Sequence, residues 1–227
     1  MFVVVRLIDA CNLECKMCDF VDRDRESYGK TMTLAEYKIL LENLQNAYYR
    51  GRRIDTIRLD GNREGLLYPN IVEAVEETKK AGFRAQLVTN GVLLSKELSC
   101  ELLKKGLDSI NFSISGITWE TYSKYQGYKR NRQQLLTVME NIKSFVECRK
   151  KLNSNAYVCV SMLANDMNKN NLNEFRDAIL LYKKIGVNGV LFGNDYQMIN
   201  GRKKSNVGNC ATVPIIDVHG CVYPCCG

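Results

Sequence analysis

The sequence contains only one histidine and lacks a long apolar segment, and each of these features disfavours a class of function. His219 lies in a predicted hairpin turn, which disfavours acid–base catalysis by histidine in the body of the protein. No apolar run approaches the roughly 18 residues that cross a bilayer. Residues 1–8 are apolar but lack the basic flank and the small-residue cleavage site of a signal peptide. We therefore expect a cytoplasmic protein without a membrane partner.

The charge distribution gives no signal of nucleic-acid binding. The net charge is +7, with short basic groups at 50–53, 149–151 and 202–204. Such groups are typical of solvated helix ends and linkers. The sequence also lacks strands that alternate basic and aromatic residues, which would stack bases. We therefore do not expect a nucleic-acid partner, although the positive charge would attract an acidic peptide or a phosphorylated substrate.

Ten cysteines are many for this chain, and their distribution indicates metal or cluster ligands. Three lie within 11–18 and four within 210–226, which leaves Cys100, Cys148 and Cys159 apart. A secreted disulfide scaffold is the alternative for so many cysteines. Groups of cysteines at both ends of a helix-rich chain instead favour metal or cluster ligands in a protein from a reduced compartment.

Strand-like apolar segments alternate with helical segments along the chain. The predicted strands lie at 2–8, 54–60, 84–90, 108–115, 156–163 and 187–194. Six β–α repeats with short connections predict a parallel sheet with right-handed crossovers. The fold class is therefore α/β, with one domain over 1–195 and a linker with a C-terminal hairpin over 196–227.

Three of the predicted strands, at 54–60, 108–115 and 156–163, alternate polar and apolar residues, unlike parallel strands that are buried on both faces. In the strand at 108–115, isoleucine and phenylalanine alternate with asparagine and serine. Cys159 lies on the polar side of the strand at 156–163. Arg58 and Asp60 share the polar side of another strand, where they either line a cavity or pair with each other. We expect one face of the sheet to pack on helices and the other to line a polar cavity for the substrate.

The strongest local motif follows the first predicted strand. Cys11, Cys15 and Cys18 form a C-x3-C-x2-C pattern. A structural zinc ion or a closed cluster takes four protein ligands. Three thiolates on one loop are able to hold a four-iron cluster and to leave one iron open for chemistry. A zinc knuckle completed by a distant cysteine is the alternative.

This motif after an N-terminal strand resembles the radical S-adenosylmethionine (SAM) superfamily. The resemblance implies a partial (βα)6 TIM-like barrel whose carboxyl strand ends carry the chemistry. It implies a [4Fe-4S] cluster on the three cysteines, SAM on the open iron, and an electron donor such as flavodoxin or ferredoxin. One electron then cleaves SAM, and the resulting radical abstracts a hydrogen atom from the substrate. Met17 stands where the family often has an aromatic residue beside the adenine.

Further segments resemble the SAM-binding loops of the family. The run at 60–69 matches a Gly-Asn-Gly-Glu-Pro segment followed by Leu-Leu-x-Pro, except that Arg63 replaces Gly and Gly65 replaces Pro. For Asn90 an ordinary Asn-Gly turn is the alternative, and for Asn165 a turn before a helix. By the resemblance, the residues that bind SAM are Met17, Gly61, Asn62, Arg63, Glu64, Asn90, Ser113, Ser115 and Asn165.

The C-terminal segment resembles a second cluster-binding element. Cys210, Gly220 and Cys225 form C-x9-G-x4-C, and 215–223 is predicted to fold as a hairpin that turns at 219–220. The pattern is similar to the start of the SPASM or twitch extension of radical SAM enzymes. It implies an auxiliary iron–sulfur cluster on Cys210 and Cys225, with Cys221 and Cys226 as further ligands. A zinc ribbon of these four cysteines is the alternative, although adjacent cysteines suit one tetrahedral ion poorly.

The resemblance implies a SPASM/twitch-type radical SAM enzyme that modifies a peptide by crosslinking, thioether formation or epimerisation. The alternative is a dehydrogenase or epimerase of a sugar- or aminoglycoside-like small molecule. The start of the chain almost at the first strand slightly favours a small molecule or a separately recruited peptide. Cys159 is a candidate hydrogen donor, although a buried free cysteine is more often a core residue. A non-enzymatic iron–sulfur or zinc protein is the alternative of another class.

Overall fold

The structure, a computed structural model, describes residues 1–15, 18, 28–60, 63–126, 131–164, 172–194 and 213–223. Strands and helices alternate along most of this length. The strands are β1 (Phe2–Val5), β2 (Tyr48–Tyr49), β3 (Arg52–Arg53), β4 (Thr56–Leu59), β5 (Arg84–Thr89), β6 (Ser109–Ser113), β7 (Tyr157–Ala164), β8 (Gly189–Asn194), β9 (Ile215–Ile216) and β10 (Val222–Tyr223). The helices are α1 (Leu34–Leu44), α2 (Ile71–Lys80), α3 (Lys96–Lys104), α4 (Trp119–Tyr125), α5 (Arg132–Lys151) and α6 (Leu172–Ile185). Among these helices, none is both long and apolar enough to cross a bilayer.

One eight-stranded sheet organises the fold, in the order β10-β9-β1-β4-β5-β6-β7-β8. Seven of these strands run parallel, and β10 pairs antiparallel with β9. Because β10 and β8 lie at opposite edges, the described sheet is open. The predicted α/β class and partial (βα)6 barrel are confirmed, since β1 and β4 to β8 are the six predicted strands. The domain boundary at 195 stays a prediction, because 195–212 lie outside the described residues.

Local sequence signals explain where several helices begin and end. Thr33 and Glu36 form a capping box at the start of α1, in which each side chain accepts the other residue's backbone N–H. Ser95 accepts the N–H of Leu98 over 3.1 Å at the start of α3. Gly82 follows α2 with a φ of 85°, a left-handed conformation that glycine adopts without strain. The carboxyl ends of the strands lie along one side of the sheet because the strands run parallel.

The two faces of the sheet differ as the alternation of the strands predicts. Phe112 is fully buried, and its ring meets Phe145 of α5 edge-on at 6.1 Å between centroids. Asn111, Ser113 and Ser161 project from the opposite face and are half-buried. The helices therefore cover one face, which holds the apolar core. The opposite face, called the polar face below, carries hydrogen-bonding side chains toward solvent.

One pair of cysteines corrects the interpretation of the sequence, which paired no cysteines with each other. Cys100 of α3 and Cys148 of α5 form a disulfide, with their Cα atoms 5.4 Å apart. They are 48 residues apart in the sequence. They meet only because α3 and α5 pack side by side against the sheet, a contact that local spacing does not reveal.

Candidate functional site

The three cysteines of the motif lie on the loop that leaves β1 at the carboxyl edge of the sheet. Cys11, Cys15 and Cys18 are free thiols, and each is partly exposed. The N–H of Cys18 donates to the carbonyl of Cys15 over 3.0 Å, which turns the loop. Burial raises the pKa of Cys11 to about 11 and that of Cys15 to about 12, and repulsion between the thiolates adds to both shifts. These raised pKa values favour the protonated thiols of Cys11 and Cys15, so metal binding would displace their protons.

The donor set fits an iron–sulfur cluster better than a single metal ion. Within the described ranges, no three His, Cys, Asp or Glu side chains are placed to hold one ion. The zinc-knuckle alternative needs a distant fourth cysteine, and Cys210, Cys225 and Cys226 lie outside the described residues. A cluster takes each cysteine on a separate iron, so its ligands need not converge on one point. Three thiols on one loop thus suit a four-iron cluster with one iron left for another ligand.

Glu64 joins the exit of β4 to the cysteine loop. Its N–H donates to the carbonyl of Ala10 over 3.0 Å. Its carboxylate accepts from the Thr89 hydroxyl at 2.7 Å and from the backbone N–H groups of Asn90 at 2.9 Å and Leu66 at 3.2 Å. Burial raises the pKa of Glu64 to about 7, although these hydrogen bonds oppose the shift. With three donors engaged, the carboxyl group positions the loops around it.

Gly65 replaces the proline of the family pattern, and close packing explains why it is glycine. A Cβ atom at this position would lie 2.5 Å from the carbonyl oxygen of Leu59. Such a contact is far inside van der Waals range, so the backbone after Glu64 approaches β4 more closely than any other residue permits.

Asn90, at the exit of β5, contacts the cysteine loop directly. Its Nδ2 donates to Oδ1 of Asn12 over 2.7 Å. Its own Oδ1 accepts the N–H of Val92 over 3.0 Å, which closes the turn that the Asn-Gly sequence predicts. The side chain therefore joins two strand exits, and the turn and the loop contact occur together.

Ser113 and Ser115 are held in place by a residue that the sequence did not reveal. Gln126, directly after α4, donates from Nε2 to the carbonyl of Ser113 at 2.7 Å and accepts the N–H of Ser115 at 2.8 Å. Gln126 is 3% exposed and Ser115 is 1% exposed. This buried amide fixes the backbone of the β6 exit. No local pattern distinguishes it from a surface glutamine.

A second unpredicted residue, Glu174 of α6, supports the start of α4. Its carboxylate accepts the N–H groups of Ile117 at 3.0 Å and Thr118 at 3.3 Å, and the Thr121 hydroxyl at 2.8 Å. Glu174 is 3% exposed. A carboxylate at the N-terminus of a helix satisfies unpaired N–H groups and the helix dipole. The loop after β6 is therefore positioned from α6.

The polar face presents the remaining predicted side chains. Arg58 Nε donates to Asp60 Oδ1 over 2.9 Å, so these two residues do pair with each other. The guanidinium also lies over the ring of Phe2, 5.0 Å from its centroid. Cys159 is 6% exposed, and burial raises the pKa of its thiol. It pairs in register with Asn111 of β6.

Several predicted site residues lie outside the described residues. Among the residues predicted to bind SAM these are Met17, Gly61, Asn62 and Asn165. Among the predicted ligands of the auxiliary cluster they are Cys210, Cys225 and Cys226. Cys221 is described, as an exposed free thiol before β10. The predicted hairpin is confirmed, because β9 and β10 pair antiparallel and the N–H of Asp217 donates to the carbonyl of Cys221 across the turn. The N–H of Cys221 in turn donates to Oδ1 of Asp217, and β9 pairs with β1.

An open parallel β–α sheet with three thiols at the exit of its first strand defines a class of cluster-binding enzymes that work at their strand ends. The sequence matches the Radical SAM superfamily over residues 5–156, which is more than half of the chain. The chain belongs to the radical SAM superfamily, whose enzymes use a [4Fe-4S] cluster and SAM.

Known proteins that resemble the chain are longer. A probable GTP 3',8-cyclase of Saccharolobus islandicus is 32% identical over 144 residues, which are 63% of this chain and 42% of the relative. The chain thus spans less than half the length of this curated relative. SuiB of Streptococcus suis bound to S-adenosylmethionine has a TM-score of 0.71 and 12% identity, covering 99% of this chain and 60% of that one. Native anSMEcpe with bound AdoMet and Cp18Cys peptide has a TM-score of 0.69 and 14% identity, covering 99% and 74%.

Proposed function

We propose that this chain is a SPASM/twitch-type radical SAM enzyme in which Cys11, Cys15 and Cys18 hold a [4Fe-4S] cluster. The observation that carries the proposal is the set of three free thiols on the loop after β1. Two hydrogen bonds support it, since they join the exits of β4 and β5 to that loop. Three strand exits are thereby connected where the cluster and SAM would meet.

SAM would lie along these connected strand exits. When bound, the cluster and SAM supply a 5′-deoxyadenosyl radical that removes a hydrogen atom from the substrate. Glu64 and Asn90 orient the loops through the contacts described above, and Gln126 holds the β6 exit. The proposed direct contacts to SAM are Met17, Gly61, Asn62, Ser113, Ser115 and Asn165.

The polar face would receive the substrate. The side-chain oxygen of Asn111 is buried and has no hydrogen-bond partner among the described residues. Buried amide oxygens are rarely left without a donor, so this atom suits an N–H or O–H of a substrate. Ser161 lies on the same face, two residues along β7 from Cys159. The face therefore orients a hydrogen-bonding molecule rather than an apolar one.

A peptide is the substrate class that we favour, with crosslinking, thioether formation or epimerisation as the reaction. The support is the shared fold with anSMEcpe, whose structure holds a peptide. A small molecule of the sugar or aminoglycoside type is the second candidate. The sequence similarity to a probable GTP 3',8-cyclase supports a small molecule more generally. Cys159 would return a hydrogen atom to the substrate in an epimerase of either kind.

The C-terminal segment would add an auxiliary iron–sulfur cluster. Its proposed ligands are Cys210 and Cys225, with Cys221 and Cys226 as further candidates. The hairpin between them lies against β1, next to the loop of the first cluster. An electron donor such as flavodoxin or ferredoxin would reduce the protein in the cytoplasm.

Formation of 5′-deoxyadenosine tests the proposal. The protein is reconstituted with iron and sulfide without oxygen, reduced with dithionite, and supplied with SAM. We expect 5′-deoxyadenosine from the wild type and none from the Cys11→Ala/Cys15→Ala/Cys18→Ala variant. The Cys100→Ser/Cys148→Ser variant is the matched control, because it removes sulfur atoms on the helix side of the sheet.

Two results would contradict the proposal. An iron-loaded wild type that forms no 5′-deoxyadenosine would favour a non-enzymatic iron–sulfur protein. Zinc in place of iron after reconstitution would favour the zinc alternative. If 5′-deoxyadenosine does form, deuterium transfer from labelled peptides or sugars into it would identify the substrate.

A further inference from the structure

Arg63 departs from the family pattern, which has glycine at this position, and its side chain makes a buried ion pair. Arg63 Nε donates to Oδ1 of Asp9. The two side chains are 7% and 2% exposed. Arg6 approaches the same oxygen, with its Nη1 3.8 Å away. A buried charge persists only with such partners, so this pair is an integral part of the site.

The ion pair joins the two loops that flank the cysteines. Asp9 lies two residues before Cys11, and Arg63 lies directly before Glu64. Glu64 donates its N–H to the carbonyl of Ala10 over 3.0 Å. Two consecutive residues of one loop therefore bond to two consecutive residues of the other. The Arg63 backbone is itself fixed, because its N–H donates to the carbonyl of Asp60 over 2.9 Å.

The ion pair also places charge beside the first cysteine. Asp9 carries a negative charge, and the positively charged side chains of Arg63 and Arg6 both approach its Oδ1. The guanidinium of Arg63 reaches Asp9, which lies two residues before Cys11 in the sequence. A positive charge at this place stabilises any state that adds negative charge nearby.

We propose that Arg63 is a positioning residue that holds the cysteine loop against the β4 exit and raises the reduction potential of the cluster bound there. Reduction adds one electron to a cluster that thiolates already make anionic, so a nearby guanidinium favours the reduced state. The inference rests on the proposed function, because it requires a cluster on Cys11. It assigns Arg63 a role through Asp9 and the loop, in place of the direct contact to SAM that the resemblance implied.

The charge effect is measured as the midpoint potential of the reconstituted protein, followed by electron paramagnetic resonance. We expect Arg63→Gln to lower the potential at unchanged iron content and Arg63→Lys to keep it near the wild-type value. Arg84→Gln is the matched control, because Arg84 pairs with Asp55 at the opposite, amino-terminal end of β5. An unchanged potential in fully loaded Arg63→Gln would overturn this half of the proposal.

The loop-joining effect is measured on iron-free protein, so that it does not depend on the cluster. Breaking a buried ion pair from either side should lower the melting temperature by about 10 °C in a domain of this size. We expect Asp9→Asn and Arg63→Gln each to do so, and the double variant to melt no lower than the single ones. Small, additive shifts would overturn this half.

The two measurements separate failure of this inference from failure of the proposed function. A wild-type protein that takes up no iron would end the proposed function and the charge effect together. The melting temperatures would still decide whether Arg63 and Asp9 join the loops. If the wild type binds the cluster and Arg63→Gln leaves the midpoint potential unchanged, only the charge effect is overturned.

Discussion

Glu64 is a buried carboxyl group whose protonation should set part of the pH dependence of stability. Its pKa is about 7 in the folded chain against 4.5 for an ordinary glutamate. Folding therefore favours the protonated form. The resulting stabilisation is complete below pH 4.5 and is lost as the pH rises through 7. The shift corresponds to about 3 kcal/mol in order of magnitude.

We predict that Glu64→Gln removes this pH dependence. Urea unfolding of the iron-free protein between about pH 5 and pH 8, which covers most of the window from 4.5 to 7 and roughly one unit above it, should show wild-type stability falling as the pH rises. The variant cannot titrate, so its curve should be flatter. Glu101→Gln, an exposed change on α3, should leave the wild-type slope in place. Parallel curves for wild type and Glu64→Gln would contradict the prediction.

Cys159 separates two outcomes of the proposed chemistry. It is buried on the polar face, opposite Asn111. If its thiol returns a hydrogen atom to the substrate, Cys159→Ala should still form 5′-deoxyadenosine but should give no epimerised product. The measurement is product analysis by chromatography with solvent deuterium. Full epimerisation by Cys159→Ala would show that the thiol is only a packing residue.

At the scale of elements, α3 and α5 are joined covalently behind the sheet. The Cys100–Cys148 disulfide closes a loop with a sequence separation of 48 residues. The same helix α5 reaches the β5 exit, where Asn141 Nδ2 donates to the carbonyl of Gly91 over 2.8 Å. The disulfide thus restrains a helix that also supports the loop of Asn90.

We predict that Cys100→Ser/Cys148→Ser destabilises the protein under oxidising conditions. Loss of a loop closure of this size corresponds to about 4 kcal/mol in the chain-entropy account. Thermal unfolding without reductant should show a lower melting temperature, and Cys221→Ser should not. Adding a strong reductant should bring the wild type toward the double variant. Equal melting temperatures of wild type and double variant in the absence of reductant would contradict the prediction.

Elements with local signals were predictable, and elements that depend on distant contacts were not. The six parallel strands follow from apolar segments of strand length between helical segments, and α1 and α3 follow from Thr33 and Ser95 as caps. The short hairpin of β2 and β3 was missed, since two-residue strands carry almost no pattern. The addition of β9 to β1 was missed as well, because it joins the two ends of the described chain.

The residues of the candidate site also differ in whether local sequence signals predict them. Cys11, Cys15 and Cys18 are close in sequence, so their spacing alone indicates a three-thiol loop. Gln126 and Glu174 act through hydrogen bonds to distant backbone groups, and their own neighbours give no sign of this. Such contacts arise only once the sheet has brought the loops together.

At the scale of the whole molecule, the sheet order brings separate segments to one edge. β1 lies between β4 and β9, so the cysteine loop has the Glu64 loop on one side and the C-terminal hairpin on the other. The proposed cluster and the proposed auxiliary segment are therefore neighbours through β1. This arrangement supports the proposal that the C-terminal segment adds an auxiliary cluster near the first one.

The most direct test of the central claim is the electron paramagnetic resonance spectrum of the reduced, reconstituted protein before and after SAM is added. We predict a cluster signal whose shape changes with SAM, since a [4Fe-4S] cluster held by three thiolates leaves one iron open to this ligand. The change should vanish in the Cys11→Ala/Cys15→Ala/Cys18→Ala variant. A signal that SAM leaves unaltered, or that persists and still responds in the triple variant, would contradict the account.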